Sequence, residues 1–159
     1  MSLTKEIGRN ASPAMRLAIV SMIICGLLFP LVITGFAQAL FPGQADGSIA
    51  HLGTRGVGSY LIAQNFSRPY FFQPRNSSQS ASGVDPDITL QDAQAQVRER
   101  ISNATGISQA DLYSLINQQI EGTLWVFGYP YVNVLKLNLA LIQTYPTVYQ
   151  QLDPSLFQT

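Results

Sequence analysis

Residues 17–40 (LAIVSMIICGLLFPLVITGFAQAL) carry no charge over twenty-four positions, and this run constrains the chain more than any other. At the helical rise it is about 36 Å long, more than the roughly 30 Å hydrocarbon core of a bilayer. It suits a single membrane crossing with some tilt. A cleavable export signal is the competing reading, since Ala37-Gln38-Ala39 matches the small-x-small cleavage pattern. The apolar cores of such signals span roughly 7 to 15 residues, whereas this one reaches about twenty before Gln38, so length favours a retained anchor. Lys5, Arg9 and Arg16 precede the run, and Arg55 alone follows within the next twenty positions. The positive-inside rule then predicts a cytoplasmic N-terminus and an exoplasmic C-terminal part.

Outside the span the charges nearly cancel: residues 41–159 hold six Lys or Arg against eight Asp or Glu. This argues against a nucleic-acid footprint or a polybasic lipid patch, leaving the lipid around the span as the expected membrane contact. Cys25 is the only cysteine and His51 the only histidine. The exposed part therefore has no thiol for a disulfide, and a zinc or copper site is not expected.

The predicted organisation is a leader over 1–16, the span over 17–40, a Pro- and Gly-rich linker over 41–58, a domain over 59–145 and an irregular extension over 146–159. Within the domain, residues 59–66 (SYLIAQNF) have strand composition. Residues 68–75 (RPYFFQPR) set three aromatics between prolines and read as an ordered loop, and 76–82 (NSSQSAS) as a flexible joint. Asp87 or Thr89 is placed to cap a helix whose buried face is Leu90, Ala93, Val97 and Ile101. A second helix starts at Ser108, buries Leu112, Leu115, Ile116 and Ile120, and stops at Gly122. Residues 123–127 (TLWVF) favour a strand, and Gly128-Tyr129-Pro130 a turn into a second strand. Asn133 suits the cap of a last helix, although the alternation Leu135-Lys136-Leu137-Asn138-Leu139 suits a strand equally well. The fold class expected is α+β: one N-terminal transmembrane helix followed by a small exoplasmic mixed α/β domain.

Catalytic patterns are scarce. No Gly-x-Ser-x-Gly elbow is present, and His51 has no evident triad partners in its neighbourhood. Asp85 and Asp87 flank Pro86 as a carboxylate pair, the basis of an alternative reading as an anchored or secreted hydrolase or binding module. Helix-start chemistry is the simpler account of that pair. In the span, Met22, Gly26, Pro30, Thr34 and Gln38 recur every four residues and form a slowly drifting face of small and polar groups, suited to close helix packing. A partner-seeking helix on a chain without catalytic groups suggests an accessory subunit.

Five blocks in order complete the reading: 32–48 (VITGFAQALFPGQADGS), 58–64 (GSYLIAQ), 68–75 (RPYFFQPR), 81–89 (ASGVDPDIT), and 121–135 (EGTLWVFGYPYVNVL) with 137–141 (LNLAL). Together they resemble the C subunit of the Kdp potassium-transporting ATPase. The resemblance implies a non-catalytic, single-span subunit of an ATP-driven potassium-uptake complex. Its implied partners are a channel-like potassium-binding subunit and a P-type ATPase subunit. It also implies a catalytic-chaperone role that raises the ATPase subunit's affinity for ATP through a ternary complex, with no cofactor bound tightly and no metal. Ser80, Ser82 and Gly83 match the stretch tied to nucleotide in the family, with Ala81 standing in place of a glycine. The expected partner-binding residues are Gly26, Pro30 and Thr34 in the span, Arg68, Tyr70, Phe71 and Arg75 in the aromatic loop, and Asp85. This sequence departs from the family pattern in lacking a long segment between Arg75 and Ser80, in carrying Lys136 where an acidic residue is usual, and in extending past the family's usual end.

Overall fold

The computed structural model describes residues 3–75, 84–122 and 128–157, with side chains from residue 10 onward. The chain divides into two compact units, Met1–Gly47 and Ser48–Thr159.

The first unit is a long helical rod. Helix α1 (Leu3–Ile23) passes through Pro13 and widens into a π turn at Ile24–Leu28, continues as α2 (Phe29–Leu40), and ends before the short α3 (Pro42–Ala45). Within it, Asn10–Leu40 is long and apolar enough to cross a membrane, and none of its residues is buried. The wide turn has a local cause. Pro30 has no N–H to offer the carbonyl four residues back, and its ring crowds that carbonyl. The turn before it relaxes, and the Phe29 N–H bonds the carbonyl of Ile24 instead of that of Cys25. Residues 3–16, expected to be a leader, are already helical.

The second unit is α+β. Strands β1 (Ile49–Leu52) and β2 (Arg55–Ser59) form an antiparallel hairpin with a bulge between Ala50 and His51. This corrects the linker expected over 41–58, whose first half is α3 and whose second half is this hairpin. The strand expected over 59–66 is also corrected: the ladder ends at Ser59, the Tyr60 N–H closes back on the carbonyl of Ser48, and the chain turns away.

Strand β3 (Asp87–Thr89) pairs antiparallel with β4 (Tyr131–Asn133), Ile88 opposite Val132. Between them run α4 (Leu90–Gln96), a π turn (Val97–Ile101), α5 (Ser102–Thr105) and α6 (Gln109–Gln118). Thr89, not Asp87, caps α4 by accepting from the Asp92 N–H, and Ser108 caps α6 by accepting from the Asp111 N–H. Helix α6 ends four residues before Gly122, and Gly106, at φ +71°, supplies a left-handed terminus after α5. Gly122 and Gly128 serve a different purpose. A Cβ on Gly128 would lie 2.2 Å from the Gly122 carbonyl oxygen, and one on Gly122 would lie 2.4 Å from the Tyr131 ring. They bring the chain at 122 and 128 into close contact; the strand expected over 123–127 lies outside the described residues, as does the joint at 76–82.

Asn133 caps α7 (Val134–Thr144) by accepting from the Lys136 N–H, which resolves the ambiguous stretch as helix. Its leucine alternation has a physical reason: the helix is covered on two sides. Val134, Leu137 and Leu141 join the main core with Ile88, Val97, Ile101, Leu112 and Ile116, whereas Leu135 and Leu139 pack with Ala50 beneath the β1–β2 hairpin. The expected irregular extension over 146–159 is corrected too. Pro146 starts α8 (Pro146–Leu152), followed by a 3₁₀ turn (Pro154–Phe157), and Tyr149 is fully buried in the main core.

Candidate functional site

The aromatic loop over 68–75 is held from three sides. The carboxamide of Asn138 on α7 pairs with the main chain of Phe72: its Oδ1 accepts the Phe72 N–H at 2.8 Å and its Nδ2 donates to the Phe72 carbonyl at 2.9 Å. Gln96 on α4 does the same for the next residue, accepting the Gln73 N–H at 2.8 Å and donating to the Gln73 carbonyl at 3.0 Å. Two side-chain amides thus supply the bonds a neighbouring strand would give, so a proline-flanked segment with no sheet partner is fixed with its backbone satisfied. From the third side, the Tyr149 hydroxyl on α8 donates to the Tyr70 carbonyl, and the Tyr70 hydroxyl donates to Asp153. Phe71 stacks on Tyr149 with ring centroids 5.5 Å apart.

This arrangement corrects part of the expected partner surface. Tyr70, Phe71 and Phe72 are 8 %, 6 % and 0 % exposed and belong to the core; the prolines bend the loop so that its rings turn inward. Arg68 is exposed, and half-buried Arg75 lies 3.7 Å from Asp92. The loop offers cations outward and keeps its aromatics for folding.

Asp85 is half-buried, and its Oδ1 accepts the Asp87 N–H at 3.1 Å, an Asx-type start to β3. Asp87 accepts from the Asn133 amide at 2.9 Å, and the same amide donates to the Tyr60 carbonyl. Burial pushes the Asp87 carboxyl above its usual range, opposed by the Asn133 hydrogen bond. Beside them Lys136 pairs with Glu121 and sits 5.6 Å from the centre of the Tyr60 ring. Asp87 thus ties β3 to Asn133 at the end of β4 and the cap of α7, while Asp85 bonds only within its own turn.

A cleft of about 760 Å³ opens between the β1–β2 hairpin, α7 and the 3₁₀ turn, lined by Leu52, Val57, Phe66, Leu139, Ile142 and Phe157 among others. Among the described residues Arg55 is the charged one in its lining, and the polar atoms of Asn138 at its wall are bound to Phe72. Such a lining suits an apolar group, and its described residues bring together neither a nucleophile–base pair nor a metal set. Among the described residues no group of three His, Cys, Asp or Glu gathers to hold a metal. Gly26, Pro30 and Thr34 are exposed on the helical rod, and Ser80, Ser82 and Gly83 lie outside the described residues. Sequence reasoning missed the cleft and the α8 contact; Pro146 followed by Val148, Tyr149 and Leu152 was the available signal.

Residues 11–79 and 77–143 both match the family model described as "KdpC: K+-transporting ATPase, c chain". A protein of Bacillus cereus (strain B4264) named potassium-transporting ATPase KdpC subunit is 36 % identical over 181 residues, which covers 82 % of this chain and 93 % of that relative. A protein of the same name from Bacillus anthracis (strain CDC 684 / NRRL 3495) is 35 % identical over the same shares. The alignment is longer than the 159 residues of this chain, so the relatives carry positions that have no counterpart here. The two family matches adjoin at 77–79, the place where the missing segment is expected, and stop before α8. The chain belongs to the KdpC family, the c chain of K+-transporting ATPases.

Proposed function

We propose that this chain is a non-catalytic accessory subunit of an ATP-driven potassium-uptake complex, anchored by one span with its N-terminus in the cytoplasm and its α+β domain outside. One observation carries the reading. A family match runs through both the apolar helix Asn10–Leu40, which has no buried residue of its own, and a domain whose polar clusters are engaged in folding. A helix left uncovered, and a domain whose described residues gather no reactive constellation, fit a subunit that completes another protein. The basic residues Lys5, Arg9 and Arg16 before the span support the orientation. The partners are a channel-like potassium-binding subunit and a P-type ATPase subunit, and exposed Arg68, with half-buried Arg75 and Asp85, is our partner-facing set in the domain.

A catalytic-chaperone role, raising the ATPase subunit's affinity for ATP, has to act across the bilayer in this topology. ATP lies in the cytosol and the domain outside, so the effect is a coupling transmitted through packed membrane helices. The test is removal of the gene followed by growth at limiting potassium and ATPase assays of the purified complex. Loss of high-affinity uptake with loss of assembly supports the reading. Unchanged uptake and unchanged assembly would overturn it.

A further inference from the structure

The π turn leaves a chemical gap in the middle of the span. In a regular α-helix the carbonyl of Cys25 accepts from Phe29 and that of Gly26 from residue 30. Here the Phe29 N–H is taken by Ile24, and residue 30 is a proline with no N–H. The next donor along for Cys25, five residues on, is that same proline. The Cys25 carbonyl therefore has neither intrahelical donor within its reach in the apolar stretch, where no water competes to satisfy it, whereas that of Gly26 still has the Leu31 N–H five residues on. Gly26 also leaves the Cys25 carbonyl unshielded. A Cβ there would meet nothing nearer than the Met22 Cγ at 4.0 Å, and Cys25 is exposed.

We infer that the Cys25–Gly26 turn is the acceptor half of a contact with a membrane helix of another subunit. That helix presents a side-chain donor, a hydroxyl or an amide, which the bare glycine allows to approach the backbone. Apolar helix packing alone would leave the Cys25 carbonyl unpaired, so the occupant is selected by its donor and not by shape only. The inference rests on the accessory-subunit reading and specifies how the span is recognised.

Cys25 is the chain's only cysteine, so growth on carbonyl-¹³C cysteine marks one carbonyl in the chain, at the turn itself. The labelled full-length chain is compared by infrared spectroscopy alone in lipid vesicles and after assembly with unlabelled partner subunits. The expected result is a Cys25 carbonyl band in the unbonded position for the chain alone and lowered in frequency in the complex. Pro30→Ala, which restores an N–H at residue 30 and lets the helix close, is expected to insert normally and bind its partners about tenfold more weakly. Gly26→Leu, which covers the Cys25 carbonyl, is expected to weaken binding as well. A complex that forms with an unshifted band overturns the inference and leaves the accessory role standing. A band already lowered in the chain alone overturns it too, since the carbonyl is then satisfied by water or by its own helix. If no complex forms, the accessory reading itself fails, and the inference with it.

Discussion

Tyr149 donates its hydroxyl at 2.8 Å to the backbone carbonyl of Tyr70, joining the C-terminal helix to a loop seventy-nine residues earlier. The bond is buried, and burial holds the Tyr149 hydroxyl protonated well above the usual tyrosine range, so it acts as a donor at every physiological pH. The residues that follow the family match are thus part of the domain's core.

Tyr149→Phe removes only that hydroxyl and leaves the Tyr70 carbonyl without its partner. A loss of about 1–2 kcal/mol is expected. Tyr149→Ala also empties the space against Phe71 and is expected to cost about 3–5 kcal/mol. Thermal unfolding of the full chain in detergent, followed by near-ultraviolet circular dichroism, separates the two. Equal midpoints for wild type and Tyr149→Ala would show that α8 does not stabilise the domain.

The Asn138 clamp on Phe72 makes two buried hydrogen bonds with one side chain. Asn138→Ala is expected to destabilise by about 2–4 kcal/mol and to speed amide exchange at Phe72. Gln96→Ala, at a half-buried site, is expected to cost less and to act at Gln73. Site-resolved hydrogen exchange reads both, and unchanged protection at Phe72 in Asn138→Ala would contradict the clamp.

Two carboxylates give opposite pH responses. Asp153 is held below its usual range by the Ser155 hydroxyl first and also by Tyr70, with burial opposing. Its contribution is present above the unfolded carboxylate pKa and is lost as pH falls through the lower folded value. Asp87 is raised, chiefly by burial, so its ionised form weighs against folding, and its contribution is lost as pH rises through the folded value. Asp87→Asn keeps an acceptor for Asn133 and is expected to raise the midpoint at pH 7 but not at pH 3. Asp153→Asn is expected to lower it at pH 7 and change little once pH is below the folded value. Melting curves across pH 2–8 test both signs.

The Lys136–Glu121 pair is more than a third exposed on both sides and is expected to contribute no more than about 1 kcal/mol, falling in high salt. A double-mutant cycle with Lys136→Met and Glu121→Gln measures it. Coupling that does not weaken with added salt would contradict this placement at the surface.

What the sequence made legible was local. The side chains of Thr89, Ser108 and Asn133 each accept the N–H three residues on, a bond set by short spacing, and the apolar faces of α4 and α6 follow from period alone. Long-range events were not legible. Where the strand into residue 59 ends is set by the Tyr60 N–H returning to Ser48, and Tyr70 and Phe71 looked like surface because nothing near them in sequence announces Asn138, Gln96 or Tyr149. Burial on two sides gave α7 its strand-like alternation. At the candidate site, the span and its Gly26–Pro30 stretch were legible from composition, whereas the π turn follows from a proline's effect on the turn before it.

The most direct test of the central claim is purification of the tagged full-length chain from its native membrane in mild detergent, with mass spectrometry of what accompanies it. The account predicts a P-type ATPase subunit and a potassium-binding membrane subunit in fixed proportion to this chain. Recovery of the chain alone, released in soluble form after Ala39, would contradict it.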